Sequence, residues 1–107
     1  MRMKFWVYCP ADNEVIYSII KSASSAGAGV YGNYSQVAFI THGEGNWRSE
    51  IGSNPKQGKI GEVTRAKVAK IEMPCQSKDA KRIAKAIKKV HPWEQVDIEF
   101  IQLQENE

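Results

Sequence analysis

His42, Glu44, His91 and Glu94 are the side chains best suited to hold a metal ion or move a proton, and Cys9 and Cys75 could add sulfur. None falls at a dedicated ligand spacing such as H-x-x-x-H or C-x-x-C. A nucleophilic cysteine needs a histidine beside it, and nothing local puts one there. The chain therefore reads as having no catalytic residue, no metal site and no cofactor. The same residues can still line a ligand cleft. The stretch at 43–55 is long for a strand connection, and His91-Pro92 fixes an abrupt exit ahead of Trp93 and Glu94. Where the two segments meet, His42, Glu44, His91 and Glu94 would supply polar groups, with Trp47 and Trp93 as walls. The competing expectation is that Trp47 and Trp93 anchor a subunit contact.

A second pattern, G-x-G-x-x-G at Gly27, Gly29 and Gly32, invites a dinucleotide-binding reading. In that fingerprint the glycines follow a strand and open a helix. Here they follow a helical stripe and open a strand, so they read as a helix cap and a turn.

The elements that must position these residues follow from periodicity. Residues 3–9 are short, aromatic and β-branched, which predicts a strand. Pro10 stops it and suits the first turn of a helix. Val15, Ile16, Ile19, Ile20 and Ala23 form one helical stripe over 11–26, closed by Gly27. Residues 35–41 predict a second strand and 43–59 a polar loop. Residues 66–73 alternate as a half-buried strand. Ser77 reads as an N-cap for a helix over 79–90, with Ala80, Ile83, Ala84, Ile87 and Val90 inward. Residues 96–103 alternate as a last strand, before a polar tail at 104–107. The order β-α-β-β-α-β predicts an α+β, ferredoxin-like sandwich: a four-stranded antiparallel sheet with both helices on one face and the first and third strands central. Its open face would leave Phe5, Trp6, Ala38 or Phe39, and Phe100 partly uncovered, which argues for self-association. Cys9 and Cys75 are expected as free thiols near the same sheet edge.

The chain has 107 residues, a net charge of +3, and 42% hydrophobic and 25% charged residues, as one globular domain over 1–107 would. No apolar run approaches the ~18 residues that cross a bilayer, and the start reads as a strand rather than a leader. Two cysteines make no disulfide framework, so the expected compartment is the cytoplasm, with no membrane contact. Lys78, Lys81, Arg82, Lys85, Lys88 and Lys89 read as the solvated face of the second helix. An RNA-binding sheet of this topology carries aromatics on its third strand; residues 65–72 have none, so no nucleic-acid partner is expected.

The block AGAGVYGNYSQVAFITHGEGNW, the Gly52, Asn54 and Pro55 loop, Gly61-Glu62 and the tetrad His91-Pro92-Trp93-Glu94 together resemble the YqfO-like family. They resemble in particular the PII-like domain inserted in its larger members, the GTP cyclohydrolase 1 type 2 homologues. The resemblance runs over essentially the whole chain. It implies a PII-like fold that packs as a homotrimer or higher ring, with an uncharacterised function. An unknown protein partner is a separate expectation. The dinuclear metal site of those larger members lies in flanking domains with no counterpart here, so the resemblance implies no enzyme. The leading reading is a binding or regulatory module; the second is a small metal- or nucleotide-responsive sensor with its site between subunits; the third is a cryptic enzyme.

Overall fold

The computed structural model describes residues 1–104. The elements are β1 (Arg2–Pro10), α1 (Asn13–Ser25), β2 (Phe39–Arg48), β3 (Val63–Gln76), a 3-10 turn (Ser77–Asp79), α2 (Ala80–Val90) and β4 (Ile98–Gln102). The sheet order is β2-β3-β1-β4, antiparallel throughout. This is the α+β ferredoxin-like sandwich, with β1 and β3 central.

α1 follows its stripe: Ile16, Ile19, Ile20 and Ala23 are buried. Its start differs from expectation. Pro10 is the last residue of β1, and Asp12 is the N-cap, its carboxylate accepting from Glu14 N–H at 2.8 Å. α2 buries Ile83 and Ile87, but Val90 is exposed in the last turn. Ser77 makes no side-chain cap; it opens the 3-10 turn. The buried Asp79 takes over that junction. Its carboxylate accepts from Arg82 Nη2 at 2.7 Å, and Arg82 Nε donates to the Ala26 carbonyl at 3.0 Å. One side-chain pair thus ties the start of α2 to the end of α1.

β2 and β3 are longer than their sequence suggests. Residues 43–48, expected as loop, are strand, with Gly43 opposite Val68 and Arg48 opposite Val63. The connection shrinks to 49–62. β3 runs through Pro74, which lacks an N–H for the ladder. It is tolerated because β2 begins at Phe39, opposite Glu72, and so does not reach that position. The Pro74 carbonyl instead accepts from Gly29 N–H at 2.8 Å. On its other side β3 is matched to β1 only as far as Pro10 opposite Val68. Ala11 N–H still donates to the Lys67 carbonyl at 3.3 Å, so residues 63–66 pair on one side alone, in a hairpin arm that helps stretch the described residues to 49 × 25 × 23 Å.

The core lies between sheet and helices. Phe5, Val7, Cys9, Ile71 and Met73 meet Ile16, Ile19, Ile83 and Ile87 there, all fully buried. Strand alternation sends Phe5 and Phe100 to this side, their ring centroids 5.3 Å apart, so neither belongs to the open face. Ala38 also packs on the core. The open face keeps Trp6 and Phe39, the latter 67% exposed. Trp6 Nε1–H donates to Glu99 at 3.0 Å, and Lys70 Nζ lies 5.0 Å from the Trp6 ring centroid. At one corner Leu103 N–H donates to the Arg2 carbonyl at 3.1 Å.

Cys9 and Cys75 are free and buried. They do not share an edge. β1 and β3 run antiparallel, so Cys9 stands opposite Ala69 and Cys75 opposite Met3, at opposite ends of the pair. Burial, then the charge of Asp12, pushes the Cys9 thiol up to about 11. Burial, then Asp79, raises Cys75 in the same direction. Neither is an activated nucleophile.

Candidate functional site

The base of the hairpin connection and the α2–β4 connection enclose a cleft of about 440 Å³. Trp47 and Trp93 form its aromatic wall, their ring centroids 6.3 Å apart at 51°. Arg48, Lys56, Glu94 and Gln95 supply polar groups around it. A second hollow of about 350 Å³ lies beyond Trp93, against Pro10, Asp12 and Lys67, and shares Lys56 and Gln57 with the first. Trp93 is thus a partition between two adjoining spaces.

His91 explains how Trp93 is held. It caps α2 with extended backbone (φ −76°, ψ 134°) and is buried. Trp93 N–H donates to His91 Nδ1 at 3.1 Å, so Nδ1 carries no proton. The proton is on Nε2, which donates to the Tyr8 carbonyl at 2.8 Å. The imidazole is neutral, and its centroid lies 5.1 Å from the Trp93 ring. Burial lowers its pKa; the bond to the Tyr8 carbonyl opposes that in part.

This arrangement sets a pH dependence. The folded pKa lies below the ordinary 6.5, so the stabilisation is complete above 6.5 and falls away as pH drops toward the folded value. Thermal unfolding should therefore show a loss of stability as pH falls below about 6.5 in the wild type, and a smaller loss in His91→Gln. Equal losses in both would remove His91 as the cause.

The loop is pinned by Glu94, whose Oε2 accepts from Asn54 N–H at 3.0 Å. Ser53 N–H and Oγ–H both donate to the Glu50 carbonyl, at 3.1 and 2.7 Å, closing a turn at the tip. Gly61 N–H donates to the Ser49 carbonyl at 2.6 Å and closes the loop's base.

The six residues singled out by sequence divide. Trp47, Trp93 and Glu94 meet at the cleft, and His91 stands behind Trp93. His42 and Glu44 do not join them. Both are exposed on β2 at positions of opposite parity to Trp47, so they project from the other side of the ribbon. Arg48, Lys56, Gln57 and Gln95 escaped sequence reasoning. Arg48 follows Trp47 and Gln95 follows Glu94 in the chain, so adjacency could have found both; for Lys56 and Gln57 no sequence signal exists, since the loop fold alone brings them in. Among the described residues no three His, Cys, Asp or Glu side chains gather as a metal cluster. No helix of them is long and apolar enough to cross a membrane.

The topology is that of a ferredoxin-like, PII-like domain. No family model matches the chain. It is 30% identical over 101 residues to a GTP cyclohydrolase 1 type 2 homologue of Halalkalibacterium halodurans, covering 83% of this chain and 27% of that protein. The Bacillus subtilis homologue is 31% identical over 93 residues, covering 87% and 24%. Among solved structures, a Bacillus cereus protein related to NIF3 superposes with a TM-score of 0.81 at 26% identity, over 97% of this chain and 26% of that one. The periplasmic divalent cation tolerance protein CutA of Archaeoglobus fulgidus gives 0.74 at 14% identity, over 99% and 87%; at that identity the likeness is one of fold. The chain is homologous to one segment of the GTP cyclohydrolase 1 type 2 homologues, and spans about a quarter of the length of those relatives.

Proposed function

We infer that the chain acts as a non-enzymatic, PII-like binding or regulatory module that self-associates, a homotrimer being the expected assembly. The observation that carries this reading is the hairpin arm. Residues 63–66 of β3 lack a strand partner on one side, and an unpaired strand edge invites pairing with another chain. The uncovered Phe39 on the open face, and Ile60 and Val63 on the arm, support it. Light scattering on a size-exclusion column should give a mass well above 12.0 kDa. A clean monomer at tens of micromolar would sink the reading.

A second reading, a small-molecule sensor, is favoured by the charges lining the two spaces. Their carboxylates are already engaged: Glu50 with Arg48 at 3.4 Å, Glu94 with the Asn54 amide, and Asp12 with the Glu14 amide. Lys56 and Lys67 make no ion pair among the described residues. Each carboxylate already holds one partner, so Lys56 and Lys67 are the side chains left to meet an anionic ligand such as a nucleotide. A thermal-shift screen of nucleotides against divalent metals separates the two readings, because only a ligand of the folded state raises the melting temperature. No shift with any ligand, together with a weaker oligomer in Trp47→Ala, would make the tryptophans packing anchors instead.

A further inference from the structure

The charge of this molecule is not spread evenly. Residues 78–90 hold six cations, Lys78, Lys81, Arg82, Lys85, Lys88 and Lys89, and one acid, Asp79. The rest of the chain holds nine cations against eleven acids. The whole positive excess therefore sits on α2 and the turn that opens it. Asp79 is buried and already paired with Arg82. The five lysines are exposed, and among the described residues none makes an ion pair.

An ordinary solvated helix face mixes signs, because opposite charges at i,i+4 help a helix and like charges weaken it. Here Lys81–Lys85 and Lys85–Lys89 repeat one sign at that spacing, and Lys78, Lys81, Lys85 and Lys88 make a row along one side. α1 packs beside α2 in the same layer. Its solvent side adds Lys21 and a 59% exposed Tyr17, with Glu14 as the acid at its far end. The surface among Lys81, Ala84, Lys85 and Lys88 is a shallow, open depression.

We propose that this two-helix face is a docking surface for an anionic lipid bilayer, held by lysine-to-headgroup electrostatics without insertion. The face is made of two helices packed side by side with only a shallow, open depression between the lysines, matching a plane of headgroups rather than a groove of duplex DNA, which takes a protruding helix or ribbon. It lacks the row of aromatics that single-stranded nucleic acid stacks on. It lacks the central apolar pocket that anchors an acidic protein. Lysine is a compact point charge suited to diffuse headgroup contact, and the amphipathic ring of Tyr17 suits the water–headgroup boundary. The apolar side of α2 is spent on the core, so the helix cannot sink into the acyl region.

The test is co-sedimentation of the full chain with phosphatidylcholine vesicles, with and without phosphatidylglycerol. Binding should require phosphatidylglycerol. It should vanish as salt rises from about 0.1 M to about 1 M, where the screening length falls from roughly 10 Å to roughly 3 Å. Replacing Lys81, Lys85 and Lys88 by Gln should weaken partitioning about a hundredfold, at roughly fivefold per lysine. A control triple on the arm, Lys59→Gln, Arg65→Gln and Lys67→Gln, removes the same charge from exposed positions and should cost less than about tenfold. Melting curves of both triples confirm folding, and all six side chains are exposed. Binding that ignores phosphatidylglycerol, or no binding at all, overturns the proposal. So do equal losses in the two triples, or tighter binding to a DNA duplex than to the vesicles at matched salt.

Discussion

Gly27→Val should destabilise the fold by roughly 3–5 kcal/mol, read as a lowered denaturation midpoint in urea with little change in slope. Two costs combine. Gly27 has φ +114°, a conformation that a β-branched residue adopts only under strain, at about 1–2 kcal/mol. A Cβ there would also lie 2.8 Å from Asp79 Oδ2 and 3.3 Å from Arg82 Nη2. Nothing flexible can give way cheaply, because Asp79 is buried and holds Arg82, which in turn holds the Ala26 carbonyl. The substitution pushes directly on the tie between the helices. A double-mutant cycle separates the two costs. In an Asp79→Ala background the steric part disappears and only the backbone part remains, so Gly27→Val should cost about 1–2 kcal/mol there. An undiminished cost in that background would mean that backbone strain explains everything and that the tie does not feel residue 27.

Trp93→Ala should have the largest effect on the cleft. Trp93 separates the two spaces, covers Trp47 and rests on His91. Removing a half-buried indole costs about 2 kcal/mol of packing. The local consequence exceeds the global one. The connection at 49–62 is tied to the α2–β4 segment by the Asn54–Glu94 bond, and Trp93, packed on Trp47 at the end of β2, lines both spaces beneath it. With the indole gone, the loop should open at a free energy well below global unfolding. Trypsin should then cut at Lys56 or Lys59 at least tenfold faster than in the wild type, while the far-ultraviolet circular dichroism stays unchanged. Glu94→Gln should do less, because an amide oxygen can still accept from Asn54 N–H. Equal protease resistance in Trp93→Ala and wild type would show that the loop is held by its own turns.

The core elements were legible in the sequence. β1, α1 and α2 announce themselves by composition and by a clean helical period, and the element order leaves few topologies. β2 past Thr41 was not legible. Gly43, Gly45 and polar neighbours read as loop, since glycine weakens a strand in isolation. Pairing with β3 overrides that preference. Gly45 is there because a Cβ would come within 2.6 Å of Val68 Cγ2. A loop at 43–48 would let His42 and Glu44 turn toward the cleft; a strand does not. Once 42–48 is a ribbon, alternate side chains must part, and Trp47 goes one way while the two polar residues go the other. Pairing β1 and β3 antiparallel likewise separates the cysteines, which a parallel arrangement would have brought together. The meeting of 43–55 with 91–94 could be anticipated from the long connection and the His91-Pro92 exit; the contribution of Lys56 and Gln57 depends on loop folding that no local pattern encodes.

The bond between Leu103 N–H and the Arg2 carbonyl has a topological consequence. The backbone enters the sheet on β1 and leaves it on the neighbouring β4 at one corner, with Met3 directly opposite Gln102. A unit built this way behaves like a plug on two adjacent wires. Spliced into a surface loop of a larger host, it would depart and return through nearly the same point, and the host's own fold would not be pried apart. Joining the two ends with a few glycines and reopening the chain at the exposed tip near Gly52 would, by the same geometry, preserve every strand pairing while moving the point of attachment to the far end of the arm.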